Sequence, residues 1–178
     1  MKGSNTVEAV GCAKQRADKE YLAFSDYTTL TLDYPISAAK AFAKLSDPFK
    51  FVYISGEGAN PAGTGVLFAR VKGRAETALL QLSSSHPSLK VYNVRPAYID
   101  PGDNFLAERP RAMVDRIANL LAPVARTLTP SYVSPTDKLA EVLVELAIGD
   151  GTPVAGGNGV EAGGRTLRNV ALRRMERV

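Results

Sequence analysis

Two short runs of strand-like residues, "FKFVYIS" at 49–55 and "LKVYNVRP" at 89–96, bracket one long stretch of helical periodicity. That alternation restricts the chain to few architectures. Aromatic and β-branched residues suit a pleated, half-buried surface, and Gly56 closes the first run. Between the runs, residues from about 66 to 83 place Leu67, Val71, Ala75, Ala78, Leu79 and Leu82 on one continuous apolar stripe. Strands buried on both faces and alternating with helices argue for an α/β fold with a parallel sheet and helices on its faces. We expect about three strands in a single domain covering residues 1–178.

The flanking segments fit the same class. "NTVEAV" at 5–10 reads as a short first strand, and "YTTLTLDYPISAAKAFAKL" at 27–45 as a helical region that Pro35 kinks or divides. Ile36, Ala39, Phe42 and Ala43 share one face of its second half and should pack on the sheet. A helix is expected from about 111 to 128, with Met113, Ile117, Leu120, Leu121, Val124 and Leu128 facing inward. Another should start with Ser134 as N-cap, Pro135 in the first turn and Asp137 near the positive end of the dipole, and stop before Gly149. "DGTPVAGGNGVEAGG" reads as a loop with turns, followed by a short basic helix or extended tail.

Composition removes several function classes. The single cysteine, Cys12, permits no disulfide within the chain and favours a reducing, cytoplasmic setting. No apolar run approaches the ~18 residues that span a membrane, and "MKGSNTVEAVGCAKQR" lacks the apolar stretch of a secretory signal. The net charge of +4 comes from dispersed basic residues, apart from "RTLRNVALRRMERV", and no aromatic platform or zinc spacing accompanies them. A solvated basic surface is expected, not a nucleic-acid site. One histidine, His86, beside a proline in "SSSHPS", leaves metal clusters and histidine-based triads without parts.

"GEGANPAG" follows a strand and precedes a helix, as phosphate-cradling loops do. Position 61, however, is proline where the dinucleotide fingerprint needs its third glycine, and Glu57 would set a negative charge beside the anion. The chain's own residues supply no dinucleotide phosphate site. Ser55, by contrast, closes a strand at the C-terminal edge of the sheet, where open α/β folds bind ligands. Phe68 and Lys72 stand four apart, so they share a helix face at the border of the apolar stripe. From residues alone, Phe68 reads as a packing residue and Lys72 as a solvated lysine paired with Glu76.

The order of strand-serine, glycine loop, "FARVKGRAE" helix and strand ending "VYNVRPAYIDP" resembles the C-terminal part of the short-chain dehydrogenase/reductases. More narrowly, with "DYPISAAKAFAKLSDPFKFVYISGEGA", it is similar to the atypical, NAD(P)-binding, nucleoside-diphosphate-sugar epimerase-like proteins of fungi. The likeness runs from about residue 8 to the end. It implies a partial Rossmann-like fold with NAD(P) across the strand ends and a small-molecule substrate. Lys72 would hold the nicotinamide ribose and Ser55 would orient the substrate carbonyl. Pro96, Ala97 and Tyr98 would line the nicotinamide, and Gly11 would fall in the turn after the family's fourth strand.

Two departures accompany the resemblance. The family's catalytic tyrosine is replaced by Phe68, which has no proton to give, so Tyr98, Tyr53 or a water would have to substitute. The family's first strand and glycine-rich pyrophosphate loop have no counterpart, so NAD(P) binding by this chain alone should be weak. An uncovered first strand would also leave an exposed sheet edge through which copies of the chain could pair. The expected function is an NAD(P)-dependent oxidoreductase or epimerase-like protein of small-molecule, secondary metabolism. The alternatives are a non-catalytic protein that binds a partner and a truncated remnant without activity.

Overall fold

The computed structural model describes residues 24–100 and 132–176. The strand expected at 5–10, Gly11 and the helix expected at 111–128 lie outside them. The class is α/β, built on a mostly parallel, mixed sheet with helices packed against it.

Residues 24–28 are helical and run into a π-helical turn, Thr29–Asp33, and then α1, Tyr34–Phe42. Pro35 marks the division of the region: it sits in the first turn of α1, directly after the wider π turn. The strand β1, Phe49–Ile54, leads through the glycine loop to α2, Leu67–Ser85, and back to β2, Leu89–Arg95. β1 and β2 pair in parallel from Phe49↔Leu89 to Ile54↔Val94. A separate parallel ladder joins β3, Tyr98–Asp100, to β4, Val133–Pro135. The chain then forms α3, Thr136–Ile148, then β5, Val160–Glu161, a 3₁₀ turn, Ala162–Gly164, then β6, Thr166–Arg168, and finally α4, Asn169–Met175.

The main sheet has the order β1-β2-β6-β5, with β6 parallel to β2 and β5 antiparallel to β6. Among the described residues this sheet thus has four strands, of which β1 and β2 are expected from the sequence and β5 and β6 are not; the expected strand at 5–10 lies outside these residues. Two stretches expected as loop and tail carry the difference. Within "DGTPVAGGNGVEAGG", Val160 and Glu161 form β5, and the basic tail supplies β6 and α4. The short basic helix expected at the end of the chain is α4, and Leu167, Ala171 and Leu172 are fully buried, so the apolar residues of this segment belong to the core.

Side-chain alternation gives β2 two buried faces. Leu89 and Val91 join Leu32, Ala39, Tyr53, Val71, Ala75, Leu79 and Leu82 beneath α1 and α2. Tyr92 and Val94 join Leu139, Val142, Leu146, Leu167, Ala171 and Leu172 beneath α3 and α4. The predicted stripe of α2 is thus the face it buries. Phe42 departs from expectation: it is 43% exposed, with its ring tilted against Phe49 at 5.8 Å.

Ser134 is not an N-cap. It lies in β4 opposite Ile99, is fully buried, and donates to Asn169 Oδ1 at 2.6 Å, leaving Pro135 as the cap of α3. Asp137 does occupy the first turn, and Gly149 follows the last. Among the described residues, no helix is long and apolar enough to cross a membrane.

Candidate active site

The parallel ladder runs past the end of β1. Ser55 N donates to Val94 O at 2.8 Å and Glu57 N to Pro96 O at 2.9 Å. This extension brings Ser55 under the first turns of α2. Lys72 Nζ donates to Ser55 O at 2.5 Å, across Gly56, where a Cβ would stand 3.3 Å from the amine. Glycine at 56 therefore lets the ammonium settle on the strand end. Burial lowers the Lys72 pKa from its ordinary value, while the Glu76 carboxylate one turn on acts in the opposite direction. An ammonium carries three donors, and one is engaged by the backbone.

Ser55 is 2% exposed, and its hydroxyl is buried without a hydrogen-bond partner. A buried hydroxyl with no partner costs about 1–3 kcal/mol and calls for an explanation. Phe68 joins the same end of α2, 45% exposed, with its ring tip 3.9 Å from where a Cβ of Gly58 would be. It packs on the glycine loop at the edge of the core.

The remaining sequence candidates are placed differently. Tyr53 is buried, donates to Thr31 O at 3.0 Å, and burial holds its phenol well above the usual tyrosine range. That hydroxyl is structural. Tyr98 is 45% exposed on β3, in the ladder with β4 and not in the main sheet. Pro96 O is taken by Glu57 N, and Ala97 N donates to Asn169 Oδ1 at 3.0 Å. Ser55, Phe68 and Lys72 are thus brought together, whereas the Pro96–Ala97 backbone is engaged by the fold.

One assembly here was not foreseen. Glu76, 1% exposed, is gripped by Arg95 through Nε at 2.9 Å and Nη2 at 2.5 Å. It does not pair with Lys72 as expected. Arg95 Nη1 reaches Glu161 at 3.0 Å, while Arg168 holds Glu57 through Nε at 2.8 Å and also through Nη2. Glu57 Oε2 accepts from Asn169 N at 3.1 Å. The carboxylate that counted against phosphate binding is therefore bound internally. These contacts tie α2, β2, β5, β6 and the glycine loop together around the Lys72 corner. A glutamate beside an apolar stripe, on a helix facing an arginine-ended strand, is the signal that would have found the pair.

Chemically, the corner offers a desolvated ammonium, a serine hydroxyl and a glycine-lined strand end. That set can hold or polarise an oxygen of a ligand. Phe68 and Tyr53 give it no proton donor. Among the described residues, no group of three His, Cys, Asp or Glu side chains could hold a metal ion.

No protein-family model and no solved structure matches the chain. Botcinic acid biosynthesis cluster B protein 16 of Botryotinia fuckeliana is 40% identical over 153 residues, which cover 79% of this chain and 96% of that protein. Leucinostatins biosynthesis cluster protein T of Purpureocillium lilacinum is 31% identical over 165 residues, covering 80% of this chain and 61% of that protein. The chain thus spans less than two thirds of the leucinostatins protein. With nearly all of the botcinic acid protein matched at that identity, the chain belongs to the family of botcinic acid biosynthesis cluster B protein 16.

Proposed function

We propose that this chain serves fungal secondary-metabolite biosynthesis as a protein of the short-chain dehydrogenase/reductase kind, with the Lys72 corner as its ligand site. The printed names of two relatives support the setting. The observation that carries the site is the Lys72 ammonium on Ser55 O, desolvated, at the C-terminal edge of a parallel sheet.

NAD(P) fits this corner in part. The two remaining N–H groups of Lys72 suit ribose hydroxyls, and Ser55 has hydrogen-bonding capacity that no described group uses. Against these, Pro96 O and Ala97 N are already hydrogen-bonded, and the glycine loop has Pro61 where the dinucleotide fingerprint needs its third glycine. Weak binding is the consequence. When bound, NAD(P) supplies hydride transfer. The chain's own part is to hold a ribose through Lys72 and to seat a carbonyl or hydroxyl compound at the strand end.

Proton transfer is where two readings part. Phe68 cannot donate a proton and Tyr53 is committed to Thr31 O, which favours a second reading, a non-catalytic protein that binds its ligand or a partner. The Phe68→Tyr variant, assayed with NADPH and NADH against a panel of ketones, separates them. In the enzyme reading, a hydroxyl restored four residues before Lys72 raises turnover by about 10²-fold or more. Unchanged, undetectable turnover in a folded Phe68→Tyr protein would sink the oxidoreductase reading and leave the binding one.

A further inference from the structure

The helix that presents Lys72 also walls a second concavity, over β6 and β5. On this side of the sheet, a cleft of about 310 Å³ opens between α2 and the 3₁₀ turn. Arg95 and Thr166 are at its floor, Thr77 and Leu80 on the α2 side, and Glu161 and Ala162 on the other. The volume lies at the lower end of the range for small-molecule pockets.

The polar groups at the two levels of the cleft differ in kind. Arg95 and Thr166 are 6% and 3% exposed and supply donors. A guanidinium has five N–H groups, and those described bind Glu76 twice and Glu161 once. The Thr166 hydroxyl accepts from Asn93 Nδ2 at 3.3 Å, and its own proton goes to no described group. At the rim stands Glu161, with a half-exposed side chain. One oxygen is on Arg95 at 3.0 Å, and the other is 3.9 Å from Arg168 Nε, outside hydrogen-bond range. That oxygen is an open acceptor. With two carboxylates, Glu76 and Glu161, against one guanidinium, the lining disfavours an anion.

The backbone at the rim gives a separate indication. Ala162 has φ +49°, and among the described residues it is the only non-glycine with positive φ. An alanine in that region costs on the order of 1–2 kcal/mol, and such strain tends to concentrate where a site is being shaped. It places a methyl-bearing residue, not a bare glycine, on the cleft wall opposite Leu80.

We infer that this cleft binds a small uncharged hydroxy-carbonyl compound, its carbonyl oxygen on Arg95 and Thr166, its hydroxyl on Glu161, and its hydrocarbon against Leu80. This site is separate from the Lys72 corner and does not depend on the reading given to it. The test uses ethyl 3-hydroxybutanoate, titrated into the isotope-labelled full chain and followed by amide proton–nitrogen correlation spectra. Saturable shifts at Thr77, Ala162 and Thr166 are expected. Ethyl butanoate should bind about fivefold or more weakly, as the loss of one hydrogen bond requires, and 3-hydroxybutanoate should also bind more weakly than the ester because its carboxylate meets Glu76 and Glu161.

Thr166→Val should weaken binding by a similar factor. Ser84→Trp, at an exposed position lining the cleft, should abolish it without disturbing the core. Lys72→Met should leave it intact. Three results would each overturn the inference: no saturable shift up to about 50 mM, binding retained in Ser84→Trp, or the charged acid binding as well as its ester.

Discussion

Replacing Gly73 with alanine should destabilise the protein, although glycine-to-alanine changes inside helices ordinarily stabilise. In a helix interior alanine is favoured by about 1 kcal/mol. At this position, however, a Cβ would stand 2.0 Å from Asn60 O and 2.6 Å from Pro61 N, both backbone atoms of the glycine loop. The loop would have to retreat by about 1 Å or more to reach even the closest real contact distance. That retreat would break the bond from Asn60 N to Ala69 O, 2.9 Å, and loosen the packing of Ala59, which is 7% exposed. Overpacking costs about 1–3 kcal/mol and the lost hydrogen bond about 1 kcal/mol. Set against the propensity gain, the net loss is about 1–3 kcal/mol, or a fall of roughly 3–10 °C in Tm for a chain of this size. Urea and thermal unfolding of Gly73→Ala, with Arg74→Ala on the exposed face of the same helix as control, measure it directly. A neutral or stabilised Gly73→Ala would refute the close docking of the glycine loop on α2, and with it the geometry of the Lys72 corner.

Other perturbations test the charges around that corner. Glu76→Gln leaves Arg95, whose side chain is 8% exposed, with Glu161 as its remaining direct ion-pair partner among the described residues. Denaturation should show a loss of about 3 kcal/mol. The same change removes the influence that raises the Lys72 pKa, so the amine should titrate lower than in the parent chain when followed by NMR. Lys72 itself predicts a stability profile. Its folded pKa lies below the ordinary 10.5, so between the two values the unfolded chain binds more protons. Its contribution is therefore fully present above about pH 10.5 and is lost as pH falls through the folded value. Lys72→Met should flatten that rise in urea titrations carried downward from pH 10.5; an unchanged slope would mean that the amine is not desolvated.

The parts of the fold that were legible in the sequence rest on local signals. β1, α2 and β2 each carry their periodicity within their own residues, and the i, i+4 spacing put Phe68 and Lys72 on one face near Ser55. β6 carries no such signal. "TLR" is three residues between a glycine turn and an asparagine, and it is a strand because Asn93, Val94 and Arg95 pair with it from more than seventy residues away. Ser134 was misread because "SPTD" is a good local capping pattern, while the buried Asn169 side chain, thirty-five residues on, takes its hydroxyl instead. Glu76 looked like a partner for Lys72 by helix spacing, but Arg95 on β2 offers two parallel hydrogen bonds in a buried setting. In each case a tertiary partner overrode a plausible local one.

Thermal unfolding with NADPH shows whether Lys72 holds a ligand at the end of β1. For a dissociation constant of about 1 mM, 10 mM NADPH stabilises by about 1.4 kcal/mol, a shift of roughly 3–6 °C. We predict that shift for the parent chain and none for Lys72→Met. An equal shift in both proteins would mean that the cofactor binds elsewhere, and no shift in either would mean that the Lys72 corner does not hold it; both refute a ligand role for Lys72.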